Sequence, residues 1–118
     1  MNIEFDNDKP IYLQLIEYIK IEIIKGNYKP GEKIPSVRHF AILLKVNPNT
    51  INRALKELED DGLIVTQRTN GKFVTDNKKI VEKIKNNFAN QKVVKFIKDL
   101  ETLGISKAEI IKLIKGDC

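Results

Sequence analysis

A chain of 118 residues, 42% apolar and 31% charged, can bury one modest core and carry a short appended piece. Its formal net charge of +5 is unevenly placed: residues 1–77 hold 11 basic and 11 acidic side chains, whereas residues 78–118 hold 10 lysines and 5 acids, so overall basicity does not by itself mark a nucleic-acid-binding domain. No run nears the roughly 18–20 apolar residues that cross a bilayer, the start MNIEFDNDKP is too acidic for a signal peptide, and the single cysteine, Cys118, can form neither an internal disulfide nor a Cys-built zinc site. The expectation is a cytoplasmic protein with no membrane partner, metal or cofactor.

The first helix is expected from Pro10 to about Lys25. Tyr12, Leu15, Ile16, Ile19 and Ile23 recur at helical spacing, and Gly26 with Asn27 ends the run. YKPG at residues 28–31 reads as a turn. A second helix begins at Ser36, whose hydroxyl can accept from a free N–H of the first turn, and runs to Leu44, burying Val37, Phe40, Ala41 and Leu44. A third begins with Asn47 as N-cap and Pro48 at its first position. It buries Ile51, Ala54, Leu55 and Leu58 and closes at Gly62.

Residues 63–67 and 72–75 read as two strands. Asn70-Gly71 is expected to turn between them because both residues tolerate positive φ. A hairpin directly after a helix–turn–helix is a wing. Residues 76–78 read as a hinge, placing the boundary between a domain of residues 1–76 and a segment of residues 77–118. The tail is helical to about Leu103, with a register shift that predicts a kink or break near residues 86–91. SKAE at residues 106–109 is a capping box opening a last helix that ends at Gly116. The apolar side chains of this tail need cover from the first domain, a second copy of the chain, or both; a dimer through the C-terminal helices is the reading carried forward. The fold class is therefore mainly α with a small β-hairpin: a winged helix–turn–helix domain followed by two C-terminal helices.

Residues 33–56 carry five basic side chains, Lys33, Arg38, Lys45, Arg53 and Lys56, and no acidic one. On the third helix the inward stripe leaves Asn49, Thr50, Asn52, Arg53 and Lys56 on other faces, and these side-chain types read base edges or bind phosphate. The capped helix starts at Ser36 and Asn47 present free N–H groups suited to phosphate oxygens. Arg38 stands in a first turn, against the helix dipole, a placement that a phosphate partner would explain. Arg68, Asn70, Gly71 and Lys72 form a basic wing tip where backbone can approach a groove. Catalysis finds no support: His39 is the only histidine, and Glu57, Glu59, Asp60 and Asp61 form a solvated helix end rather than an acid–base pair.

PIYLQL at residues 10–15, GNYKPG at 26–31, IPSVR at 34–38, NPNTINRA at 47–54, LEDDGL at 58–63 and GKFV at 71–74 together resemble the GntR-family winged-helix domain. The short tail, with LGISKAEIIKLI at residues 103–114, resembles the YtrA-type subfamily. The resemblance implies a homodimeric bacterial transcription regulator, usually a repressor, bound to a palindromic double-stranded DNA operator, often beside transporter genes. It implies that Arg38, Asn49 and Thr50 meet the major groove, Arg53 the backbone, and Gly71 the minor groove. The wing departs from the family's Arg-Gly-x-Gly-Thr in having Thr69 and Lys72, and His39-Phe40 replaces the commoner Glu-Leu. The tail is read as a dimerisation or effector segment, the identity of any effector ligand being unknown from the sequence. The rival reading, a winged-helix protein-interaction module that never touches DNA, leaves the acid-free stretch unexplained.

Overall fold

The computed structural model describes residues 3–116, so Cys118 lies outside the described residues. Seven elements follow in order: α1 (Ile11–Ile24), α2 (Val37–Leu44), α3 (Pro48–Asp60), β1 (Ile64–Gln67), β2 (Gly71–Val74), α4 (Lys78–Glu101) and α5 (Lys107–Lys115). They form two compact units, Met1–Glu82 and Lys83–Cys118.

In the first unit α3 is the hub, packing against α1, α2 and β1. Its stripe Ile51, Ala54, Leu55 and Leu58 is wholly shielded, as are Leu15 and Ile19 of α1, Phe40 of α2 and Leu63. Each such large side chain stabilises the fold by roughly 1.5–3 kcal/mol. Expectation and structure part over α2. Leu44 is only half-buried, while Val46, from the turn, fills the interior. A helix of eight residues has just two turns to offer the core, and Phe40 supplies its one buried side chain.

The helix starts follow their capping chemistry. Ser36 Oγ accepts from the His39 N–H at 3.1 Å, and Asn47 Oδ1 accepts from the Asn49 N–H at 2.8 Å. Between α2 and α3 the chain reverses through Lys45, the one non-glycine residue with positive φ among those described (φ 55°, ψ 47°). Ser106 caps α5 by accepting from the Glu109 N–H at 3.2 Å. The Glu109 carboxylate returns to the Ser106 hydroxyl, so the box closes through side chains.

β1 and β2 pair antiparallel, Ile64 with Val74 through Gln67 with Gly71. The turn is built differently from expectation: Gly71 alone takes positive φ (102°), and the Asn70 N–H closes onto the Gln67 carbonyl at 3.1 Å. A further pairing was not legible beforehand. The segment read as turn and linker lies along the free edge of β2. There the Gly31 N–H donates to the Val74 carbonyl, the Val74 N–H to Glu32 and the Ile34 N–H to Lys72, at 2.9–3.0 Å, with Lys33 opposite Phe73.

The expected hinge at residues 76–78 is a helix start, where Asn77 Oδ1 accepts from the Lys79 N–H at 3.0 Å. The expected break near residues 86–91 is also absent: α4 runs unbroken from Lys78 to Glu101. It contains neither proline nor glycine, and asparagine costs a helix only a fraction of 1 kcal/mol. The register shift is instead a change of face, from Ile80, Ile84 and Phe88 to Ile97 and Leu100, all half-buried. Among the described residues no helix is long and apolar enough to cross a membrane.

Lys45 gives a direct test of the turn. A left-handed conformation costs a non-glycine residue about 1–2 kcal/mol, and glycine returns about 0.5–1 kcal/mol of that through its freer unfolded chain. Lys45→Gly is expected to raise the unfolding free energy by about 0.5–1 kcal/mol in urea denaturation.

Candidate nucleic-acid interface

The buried stripe of α3 fixes which side chains remain available. Asn49, Asn52, Arg53 and Lys56 are exposed and Thr50 is half-buried. Residues 49, 52, 53 and 56 stand at three- and four-residue spacing, so they share one face of the helix. Arg38, in the first turn of α2, is exposed and has no ion-pair partner among the described residues. Ser36 and Asn47 are exposed but engaged as caps, so their side-chain oxygens serve the helix starts. The neighbouring free N–H groups of those first turns remain for an anion.

Arg53 has a partner that sequence reading missed. Its guanidinium lies over the ring of Tyr12 on α1, 3.6 Å from the centroid. A guanidinium that stacks on an aromatic ring through its flat face keeps its N–H edges available for other partners. Tyr12 had been assigned to the apolar stripe of α1; it is half-buried and serves as a platform as well.

The wing divides its expected cations. Arg68 and Asn70 are exposed in the loop, with Asn70 Nδ2 donating to Gln67 Oε1 at 3.3 Å. Lys72, expected as a free tip cation, is half-buried and ion-paired with Glu59 near the end of α3. The cross-strand pair Thr66–Lys72 explains this. Both side chains reach the same acid: Thr66 Oγ1 donates to Glu59 Oε1 at 2.6 Å, and Lys72 Nζ also donates to Thr66 Oγ1 at 3.0 Å. Burial pushes the Glu59 carboxyl up. Hydrogen bonds from Lys72 and Thr66, with the charges of Lys72 and Lys56, outweigh it and hold the group below its ordinary value. Glu59 was read as part of a solvated acidic helix end; it anchors the wing to α3.

Gly71 is fixed by two constraints. Its φ of 102° suits glycine, and a Cβ there would stand 3.0 Å from Cε of Lys33. Among the described residues no group of His, Cys, Asp and Glu is arranged to hold a metal ion.

Three stacked helices, a left-handed turn between the second and third, and a hairpin tied to the end of the third define a winged-helix DNA-binding domain. Residues 11–74 match the family described as "Bacterial regulatory proteins, gntR family". The chain belongs to that family of transcriptional regulators. It is 38% identical over 115 residues to the uncharacterized HTH-type transcriptional regulator YhcF of Bacillus subtilis (strain 168), covering 98% of this chain and 95% of that one. It is 47% identical over 70 residues to the HTH-type transcriptional repressor YtrA of the same organism, covering 59% of this chain and 54% of YtrA. Among solved structures, a GntR family transcriptional regulator from Listeria monocytogenes superposes with a TM-score of 0.89 at 45% identity, over 95% of this chain and 98% of that one. The AraR DNA-binding domain in complex with operator ORR3 superposes with a TM-score of 0.55 at 31% identity, over 64% of this chain and 88% of that one. These likenesses support the YtrA-type, winged-helix reading of the sequence.

The anchor predicts a pH dependence. Despite its burial, the Glu59 carboxyl is held below its ordinary value in the folded chain by hydrogen bonds from Lys72 and Thr66. It therefore contributes stability that is complete above that value and is lost as pH falls through the folded one. Thermal unfolding should show wild type more stable than Glu59→Gln at neutral pH, with the gap closing as the solution is acidified through the carboxylate range.

Proposed function

We propose that the chain is a cytoplasmic homodimeric repressor that binds a palindromic operator, and that its α2–α3 face reads the major groove while the wing reaches the adjacent minor groove. The observation that carries this reading is the acid-free stretch of residues 33–56, in which Arg38 is exposed and makes no ion pair among the described residues. In this arrangement Arg38, Asn49 and Thr50 address base edges, with Asn52 and Lys56 flanking them. Arg53, held by Tyr12, binds the backbone. Ser36 and Asn47 orient helix starts toward phosphates, and Arg68, Asn70 and Gly71 form the wing contact. The complex of the related AraR DNA-binding domain with an operator supports operator binding by this fold.

Dimerisation is supported by the second unit, where Val93, Val94, Phe96, Leu103, Ile111 and Ile114 are exposed at 46–72%. That much apolar surface on so small a unit is suited to burial against a second copy. On a palindromic operator the recognition helices of a dimer meet half-sites about one helical turn apart, roughly 34–36 Å. Repression is steric: occupancy of the operator excludes polymerase. The similarity to the transcriptional repressor YtrA supports repression, and a neighbouring transporter operon is the target that the YtrA-type resemblance implies.

Two measurements test the reading. Arg38→Ala is expected to cost about 1–3 kcal/mol of affinity for a duplex spanning the chain's own promoter, read by fluorescence anisotropy across a salt series. Unchanged affinity would remove the base-reading role, and no binding by wild type at low salt would favour an interaction module instead. Ile114→Glu, at a position 69% exposed, is expected to sediment as a monomer. Its affinity for the promoter should fall by about tenfold or more as the bivalent contact is lost.

A further inference from the structure

The wing has two faces, and their cations differ in availability. On the face that carries Thr66 and Lys72, the ammonium of Lys72 is committed to Glu59 and Thr66. The other face carries Phe73 and, two residues along, Gly71. Lys33 stands opposite Phe73 on the free edge of β2. Because Gly71 has no side chain, the stem of Lys33 lies over it. Lys33 Cε sits 3.0 Å and Nζ 3.7 Å from where a Cβ would be. The ammonium is thus delivered to the closing pair of the hairpin, Gln67–Gly71. Lys33 is exposed and makes no ion pair among the described residues.

Its surroundings connect the wing to α2. Lys33 lines an open groove of about 480 Å³ with Tyr28, Glu32, Ile34, Ser36 and His39. Ser36 and His39 belong to the start of α2, where free N–H groups favour phosphate. The acid in the groove, Glu32, is engaged in its own turn, accepting from the Lys29 N–H at 3.0 Å. A strand of DNA passing from the groove read by α3 to the groove met by the wing would carry its phosphates across this gap.

We propose that Lys33, rather than Lys72, is the wing-side cation that binds the DNA backbone, contacting a phosphate between the wing and the N-terminus of α2. The inference rests on the DNA-binding reading above and assigns a contact within it. A phosphate contact is independent of sequence, so it lowers affinity alike for the promoter duplex and for a random duplex of equal length. Each contact contributes about 0.9 to the slope of log affinity against log salt.

The test compares wild type with Lys33→Met, which keeps the stem over Gly71, with Lys33→Arg and with Lys72→Met. For Lys33→Met, the salt slope should become shallower by about one on both duplexes, and affinity at physiological salt should fall about fivefold. Lys33→Arg should keep the wild-type slope. Lys72→Met should keep it too, although its thermal stability falls because Glu59 loses its partner. If wild type binds both duplexes and Lys33→Met shows the wild-type slope, this assignment is overturned and the DNA-binding reading stands. If the slope is lost in Lys72→Met instead, the two lysines have been assigned the wrong way round. If wild type binds neither duplex at low salt, both the assignment and the reading beneath it fail.

Discussion

A single amphipathic helix has to satisfy two incompatible solvents in this fold. The inner stripe of α3 is shielded from water by α1, α2 and β1, so its rotation about its own axis is fixed by packing, with no freedom left for its outer face. Rolling the helix by one position would bury Asn52 or Arg53 and expose Ile51, at roughly 1.5–3 kcal/mol for each large apolar side chain brought out and more for an unpaired charge taken in. The proposed recognition face is therefore aimed by the core, through apolar contacts on the opposite side of the helix.

Secondary anchors extend this control outward. Asn47 fixes where α3 begins, and Glu59, almost at its end, takes hold of the wing through Lys72 and Thr66. The hairpin is thus referenced to the same helix that carries the recognition side chains. The edge segment at residues 31–34 ties β2 to the entry of α2. The entry of α2 and the end of α3 are thus each tied to the wing by hydrogen bonds.

What was legible in the sequence was local. Ser36, Asn47-Pro48 and Ser106 announce helix starts because capping needs only residues two or three positions apart. Gly71 announces a turn because only backbone freedom is at issue. Most of the unread parts depend on contacts between distant positions. Arg53 and Tyr12 lie on different helices, Lys72 meets an acid 13 residues earlier, and the pairing of residues 31–34 with β2 has no periodic signature of its own. In α4 the apolar residues change face without any change in the backbone. Without proline or glycine the backbone had no reason to stop, and two faces can be served by one straight run of hydrogen bonds.

The stacking of Arg53 on Tyr12 has a kinetic and entropic meaning as well as a geometric one. A free arginine side chain gives up as much as about 2 kcal/mol of rotamer freedom when a ligand immobilises it. Here part of that ordering is already present before any ligand arrives, because the guanidinium rests over the Tyr12 ring. The side chain is preorganised, so encounter with a phosphate requires little further search. A lysine at position 53 would carry the same charge, yet it would lack the flat face that the ring holds and would have to be ordered anew at each binding event.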